Sequence, residues 1–124
     1  MTLSKESRGF SLVEVLIALV ILSISLLALA GLMVQTTKNN SFGSHMTEAA
    51  TVAQDEFEIL RARPYNSMLA GGDPSVPGAN GQTYSRNWTI VRSGSFADTS
   101  ITVTWADPTN HSITFGYNIL SFDP

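Results

Sequence analysis

The stretch Arg8-Gly9-Phe10-Ser11-Leu12-Val13-Glu14, with the apolar run behind it, decides how the rest of the chain reads. A polar, net-basic leader containing Lys5, Glu6 and Arg8 ends in Gly9. An aromatic residue then opens a hydrophobic segment that carries one carboxylate near its start. From Val15 to Val34 there are 20 residues without a charge. At about 1.5 Å per helical residue they span about 30 Å, the thickness of a hydrocarbon core. A core helix in so small a protein would show a polar face, and this run shows none. It reads as a membrane anchor. Positive charge before the run and little after it place the leader in the cytoplasm and the carboxyl-terminal part outside.

Two accounts of the run compete. Ala28-Leu29-Ala30 offers the small-x-small pattern at which a secretory signal peptide is cut. Against this, the apolar region exceeds the roughly 7–15 residues usual for such a signal. It also contains Glu14, and a carboxylate there disfavours insertion unless it has a task.

The residues Lys5-Glu6-Ser7-Arg8-Gly9-Phe10-Ser11-Leu12-Val13-Glu14-Val15-Leu16-Ile17-Ala18 resemble the prepilin signature of type IV pilins and type II secretion pseudopilins. The resemblance implies cleavage by prepilin peptidase after Gly9 and N-methylation of the new terminus, Phe10. It makes Glu14 the carboxylate through which subunits assemble. The chemistry of Glu14 agrees: an ionised carboxylate at the edge of hydrocarbon costs several kcal/mol unless paired. The α-amine created at Phe10 of a neighbouring subunit is a natural partner. The alternative for Glu14 is a glutamate that snorkels to the membrane boundary. Within the run, Ser23, Ser25 and Gly31 allow close helix approach or backbone-directed hydroxyl bonds.

Composition removes several other classes. The chain has 7 basic and 10 acidic side chains in 124 residues and no cysteine. Without residues 1–9 the balance is five basic against nine acidic. This disfavours a nucleic-acid binder, which needs a basic patch on its folded part. Lack of cysteine excludes disulfides, thiolate catalysis and Cys-ligated zinc.

Beyond Gln35 the residues Thr36 to Ser44 have poor helix propensity, and a bend or frayed section is expected there. A helical pattern resumes with Phe42, Met46, Ala49, Ala53, Phe57 and Leu60 on one face. Thr47, Glu48, Thr51, Gln54, Asp55, Glu58 and Arg61 form the other face, and Glu58 and Arg61 are spaced to pair. Pro64 ends the helix at Arg63. Residues 64–82 hold three prolines and four glycines and read as a long loop pinned by Tyr65 and Leu69.

Three runs then read as strands: Tyr84–Val91, Ser100–Ala106 and Ser112–Phe122. Tyr84, Trp88 and Ile90 share one side of the first, interrupted by Arg86. Ile101, Val103 and Trp105 do so in the second, and Ile113, Phe115, Tyr117 and Ile119 in the third. Short, turn-rich connections imply an antiparallel meander, with Trp88 and Trp105 in cross-strand contact. The apolar face of this sheet needs a cover, and the Phe42–Leu60 helix face is the available one. The expected fold is α+β: a long amino-terminal helix packed through its second half on an antiparallel sheet of about three strands, a pilin-like ladle. Its expected parts are a cleaved leader (1–9), a membrane and assembly helix (10–35), an amphipathic half (36–63), a loop (64–82) and a sheet region (83–124).

No catalytic constellation is legible. His45 and His111 read as surface residues, and Asp73 and Asn80 lack the alternate spacing of a calcium loop. No enzyme activity, metal or cofactor is expected. The resemblance implies a structural subunit whose partners are prepilin peptidase, other pilins bundled through the amino-terminal helix, the inner membrane and the assembly platform. No nucleic acid is directly indicated. Leu27–Leu32, Ala53–Ala62 and Ile101–Asp107 resemble PilV-type minor pilins in particular, with I-type pseudopilins of type II secretion as the alternative. A reading of another class is a membrane-tethered or secreted β-rich binding domain whose amino terminus is only an export signal.

Overall fold

A computed structural model describes residues 9–121; the leader positions 1–8, with Lys5 and Arg8, and residues 122–124, with the expected strand end at Phe122, lie outside the described residues. A single helix, α1 (Leu12–Arg61), is followed by a 3-10 turn (Tyr65–Ser67) and four strands: β1 (Gly71–Pro77), β2 (Thr83–Ser93), β3 (Phe96–Asp107) and β4 (Thr109–Leu120). The chain divides after Asn39 into two compact units, and α1 contributes to both.

In the first unit no described residue is buried. Its helix reaches a mean hydropathy of 2.9 over its most apolar window, long and apolar enough to cross a membrane. The expected break at 36–44 does not occur: helical hydrogen bonding runs without interruption from Leu12 to Arg61. Side chains offset the poor propensity locally. Thr36 and Thr37 donate to the carbonyls of Leu32 and Met33, both at 2.9 Å. Gln35 donates to Asn39 one turn on at 3.1 Å. Ser23 and Ser25 return their hydroxyls to Leu19 and Ile21, so the apolar helix carries no stranded donor at those positions.

In the second unit the sheet is an antiparallel meander in the order β1-β2-β3-β4. The second half of α1 covers one face. Ala49, Val52, Ala53, Glu56 and Leu60 are buried, one stripe of a 3.6-residue period. Ala49 and Ala53 are fully buried, and their small side chains let the helix lie close on the sheet. Phe42 and Met46, expected on this face, are each 40% exposed, while Val52 and Glu56 turn inward instead. From the sheet come Tyr84, Trp88, Ile101, Val103 and Trp105, the alternation anticipated for the second and third strands. Each fully buried Leu60, Ile101 or Val103 contributes about 1.5–3 kcal/mol relative to exposure.

The strand count is four rather than three. β1 lies inside the segment expected to be loop and pairs with β2 across an irregularity between Asp73 and Val76. Glycine is required at its start, because a Cβ on Gly71 would stand 2.7 Å from the Trp88 ring. The segment before β1 is held by Tyr65, whose hydroxyl donates to the carbonyl of Phe96 at 2.7 Å. Leu69 is exposed, and Met68 is the buried apolar anchor beside it. The carbonyl of Leu69 accepts the Trp88 indole N–H at 2.9 Å. The two tryptophans are not cross-strand partners. In the β2–β3 register Trp88 lies opposite Ile101, and Trp105 packs on Tyr84 with ring centroids 6.0 Å apart.

Candidate functional site

Gly9 and Phe10 precede α1, and Ser11 is its cap: the Ser11 carbonyl accepts the first helical bond from Val15 at 3.2 Å. Its hydroxyl accepts the backbone N–H of Glu14, also at 3.2 Å. Serine at the cap with glutamate three residues on is the capping-box pattern. Glu14 also lies in the first turn, where the helix dipole favours an anion. The bond formed is the serine half of that box, made to the Glu14 backbone N–H, and the carboxylate itself sits at the dipole-favoured end of the helix. The sequence pattern Ser11-x-x-Glu14 carried that signal.

Phe10, Glu14, Ala18 and Leu22 recur at steps of four and line one shallow groove, with Val15 and Leu19 beside them. Phe10 is 85% exposed and the apolar side chains through Val34 are exposed as well. Such a surface is stable only among lipid tails or the apolar flanks of other helices. In either setting an ionised carboxylate at Glu14 is costly unless it is paired or reaches the polar boundary.

The head contains a second polar cluster, around Tyr84. The Tyr84 hydroxyl donates to Glu48 Oε2 at 2.7 Å, and Glu48 Oε1 accepts the backbone N–H of Ala79. The Tyr84 and Ala79 bonds hold the Glu48 carboxyl below its usual range, whereas burial and the neighbouring Glu48 push the Tyr84 phenol up. A Cβ on Gly78 would meet both Tyr84 and Glu48 within 2.8 Å, so the loop closes on this pair only with glycine there. A carboxyl whose folded pKa is depressed adds stability above its unfolded value and loses it as pH falls through the folded one. Tyr84→Phe is therefore expected to flatten the loss of head stability on acidification below the usual carboxylate range. Thermal melts across that range check it, and an unchanged acid slope would refute it.

Both histidines join this end of the head rather than lying free on the surface. The His45 side chain is 13% exposed and its Nε2 lies 3.1 Å from Asp107 Oδ2. His111 packs against Phe42 and Trp105 at 5.0 and 5.4 Å between centroids. Ser41, His45 and Asp107 meet, yet Ser41 Oγ approaches the same nitrogen, Nε2, at 3.3 Å. A nucleophile–base–acid relay needs serine and aspartate on opposite nitrogens, so this trio ties helix to sheet and does not activate a hydroxyl. Among the described residues no three His, Asp or Glu side chains converge to hold a metal. Asp73, considered for calcium, is instead bound by Arg86, whose Nη2 lies 2.6 Å from it and 3.0 Å from Glu56. The expected Glu58–Arg61 ion pair does not form.

The described residues thus comprise an apolar, uncovered helix, capped by Ser11 with Glu14 in its first turn, and a small α+β head. The chain carries the type IV pilin-family signature: residues 4–30 match the prokaryotic N-terminal methylation motif. No curated protein and no solved structure matches the chain significantly. The motif is that of a structural subunit made as a prepilin, processed by prepilin peptidase and assembled with other pilins. The long apolar helix is consistent with anchorage in the inner membrane before assembly.

Proposed function

We propose that this protein is a minor pilin of a type IV pilus, helping to initiate or cap the filament near its tip. The observation that carries the reading is the signature itself, placed on a helix whose apolar surface is exposed through Val34. In this reading the peptidase cuts between Gly9 and Phe10, Phe10 is N-methylated, and Glu14 accepts the amine of a neighbouring subunit. The leader stays in the cytoplasm and the head faces outward. Ala28-Leu29-Ala30 lies within the uninterrupted helix α1, which supports processing at the glycine over cleavage behind the run.

Mass spectrometry of the mature protein is expected to show an amino terminus of N-methyl-Phe10. A terminus at Gly31 would overturn the reading and leave an exported β-rich domain. A deletion strain is expected to lose or reduce surface pili while secreting its exoenzymes normally; the opposite result would make the chain a secretion pseudopilin. Label on isolated filaments should be sparse and terminal, and even labelling along the shaft would contradict the tip position.

A further inference from the structure

The two edges of the head sheet are built differently. β1 is 7 residues long, contains Pro74 and Pro77, carries Asp73 and is irregular between Asp73 and Val76. These are the devices by which proteins blunt a free edge. β4, at the opposite edge, is 12 residues long and pairs with β3 in unbroken register from Thr109 to Leu120. It contains no proline and no Asp, Glu, Lys or Arg.

The hydrogen-bond phase shows which groups face outward. Ser121 donates its N–H to the Ser95 carbonyl at 2.8 Å, and inward and outward bonding alternates along an antiparallel pair. The residues bonded to β3 are therefore His111, Ile113, Phe115, Tyr117 and Ile119. Asn110, Ser112, Thr114, Gly116, Asn118 and Leu120 direct N–H and C=O away from the sheet, and among the described residues no strand lies beyond them. On the α1 side of this edge Ile113, Phe115, Tyr117 and Ile119 are only partly buried, although Phe57 stacks on Tyr117 at 4.0 Å. At the end of the edge, Arg61 and Arg63 line a recess with Tyr65, Asn66 and Leu120. Neither arginine forms an ion pair among the described residues.

We propose that the β4 edge is a docking strand for an extended segment of a different subunit. Its backbone completes the ladder, its apolar side chains cover Ile113, Phe115 and Tyr117, and its carboxylate meets Arg61 and Arg63 beside Leu120. An extended chain is the occupant because only a strand satisfies a row of alternating donors and acceptors. The β1 edge of a second copy does not fit, since its prolines withdraw donors, and the β4 strand of a second copy contains no Asp or Glu to meet Arg61 and Arg63. The proposal rests on the reading of the chain as an assembled subunit and adds how its head is held there.

Amide hydrogen exchange on the full-length protein tests this, comparing detergent-extracted subunit with the same protein in sheared filaments. Exchange at Ser112, Thr114, Gly116 and Asn118 is expected to slow about tenfold or more on assembly. Ile113, Phe115 and Tyr117, already bonded to β3, stay slow in both. The Ser112→Pro/Asn118→Pro variant removes two outward N–H groups and leaves the β3 ladder intact. It is expected to keep slow exchange at Ile113, Phe115 and Tyr117 but to be depleted from filaments. A protein present in filaments with a fast-exchanging edge would overturn the docking strand and leave the filament reading standing. A proline variant assembling like wild type would do the same. Absence from every filament fraction would overturn both. Protection appearing in detergent together with dimers of the purified chain would assign the edge to a second copy and overturn the different-subunit occupant.

Discussion

Glu14→Gln is expected to lower the amount of this protein recovered in filaments by about a hundredfold while leaving it in the membrane. In the proposed assembly the carboxylate of Glu14 is paired with the amine of a neighbouring Phe10 inside a bundle of apolar helices. Removing one partner of a buried pair leaves the other charge uncompensated and costs about 3–5 kcal/mol, which corresponds to two or more powers of ten in an equilibrium. Glutamine is the informative replacement, because it retains the capping pattern with Ser11 and lacks only the charge. Ser11→Ala is the matching control. It removes the acceptor for the Glu14 N–H and costs about 1 kcal/mol at the helix start, so its effect on recovery is expected to stay within about tenfold. Immunoblots of sheared filaments and membrane fractions separate the two. If Glu14→Gln assembles as well as wild type and Ser11→Ala does not, Glu14 is a helix-capping residue and the pairing role is wrong.

That contrast bears on what a sequence makes legible. Glu14 was conspicuous because one charge in a run of apolar residues has a large transfer cost, and such costs need no neighbours to be computed. The paired strands β2 to β4 were legible for a related reason: a face buried against one helix forces a period of two, as Ile101, Val103 and Trp105 show. Features set by tertiary partners were not. Gly71 to Pro77 has the composition of a loop, and it forms a strand because Trp88 covers Gly71 and Arg86 binds Asp73. The helix continues through 36–44 despite that composition, with the Thr36 and Thr37 hydroxyls satisfied on carbonyls one turn back. Glu56 falls on neither of the two helix faces read from the sequence, and the interruption of the β2 alternation by Arg86 has no reading there. The two were each other's explanation. A lone arginine on the apolar side of a strand asks for a carboxylate on whatever covers that side.

That pair supports the other large effect. Arg86 and Glu56 have side chains only 12% and 3% exposed, and the Arg86 guanidinium also bonds Asp73 at 2.9 and 2.6 Å and the Val52 carbonyl at 3.3 Å. Burial raises the Glu56 carboxyl above its usual range, with Arg86 opposing that rise. Arg86→Met is therefore expected to destabilise the head by about 3–5 kcal/mol, leaving Glu56 buried beside an apolar chain. For a domain this small that is a fall of more than about 10 °C in melting temperature. The loss should be partly recovered in acid. A carboxyl with a raised folded pKa adds stability below its unfolded value and loses it as pH rises through the folded one, and without Arg86 only the weaker influence of Arg63 opposes the rise. The Glu56→Leu/Arg86→Met double variant is expected to return to within about 2 kcal/mol of wild type, because paired apolar groups of similar volume replace a desolvated pair at little cost. Asp73, whose side chain is 45% exposed, can then hydrate. Chemical denaturation of the three proteins closes the cycle. A double variant as unstable as Arg86→Met would mean that the arginine acts through Asp73 and the sheet edge β1 rather than through the buried glutamate.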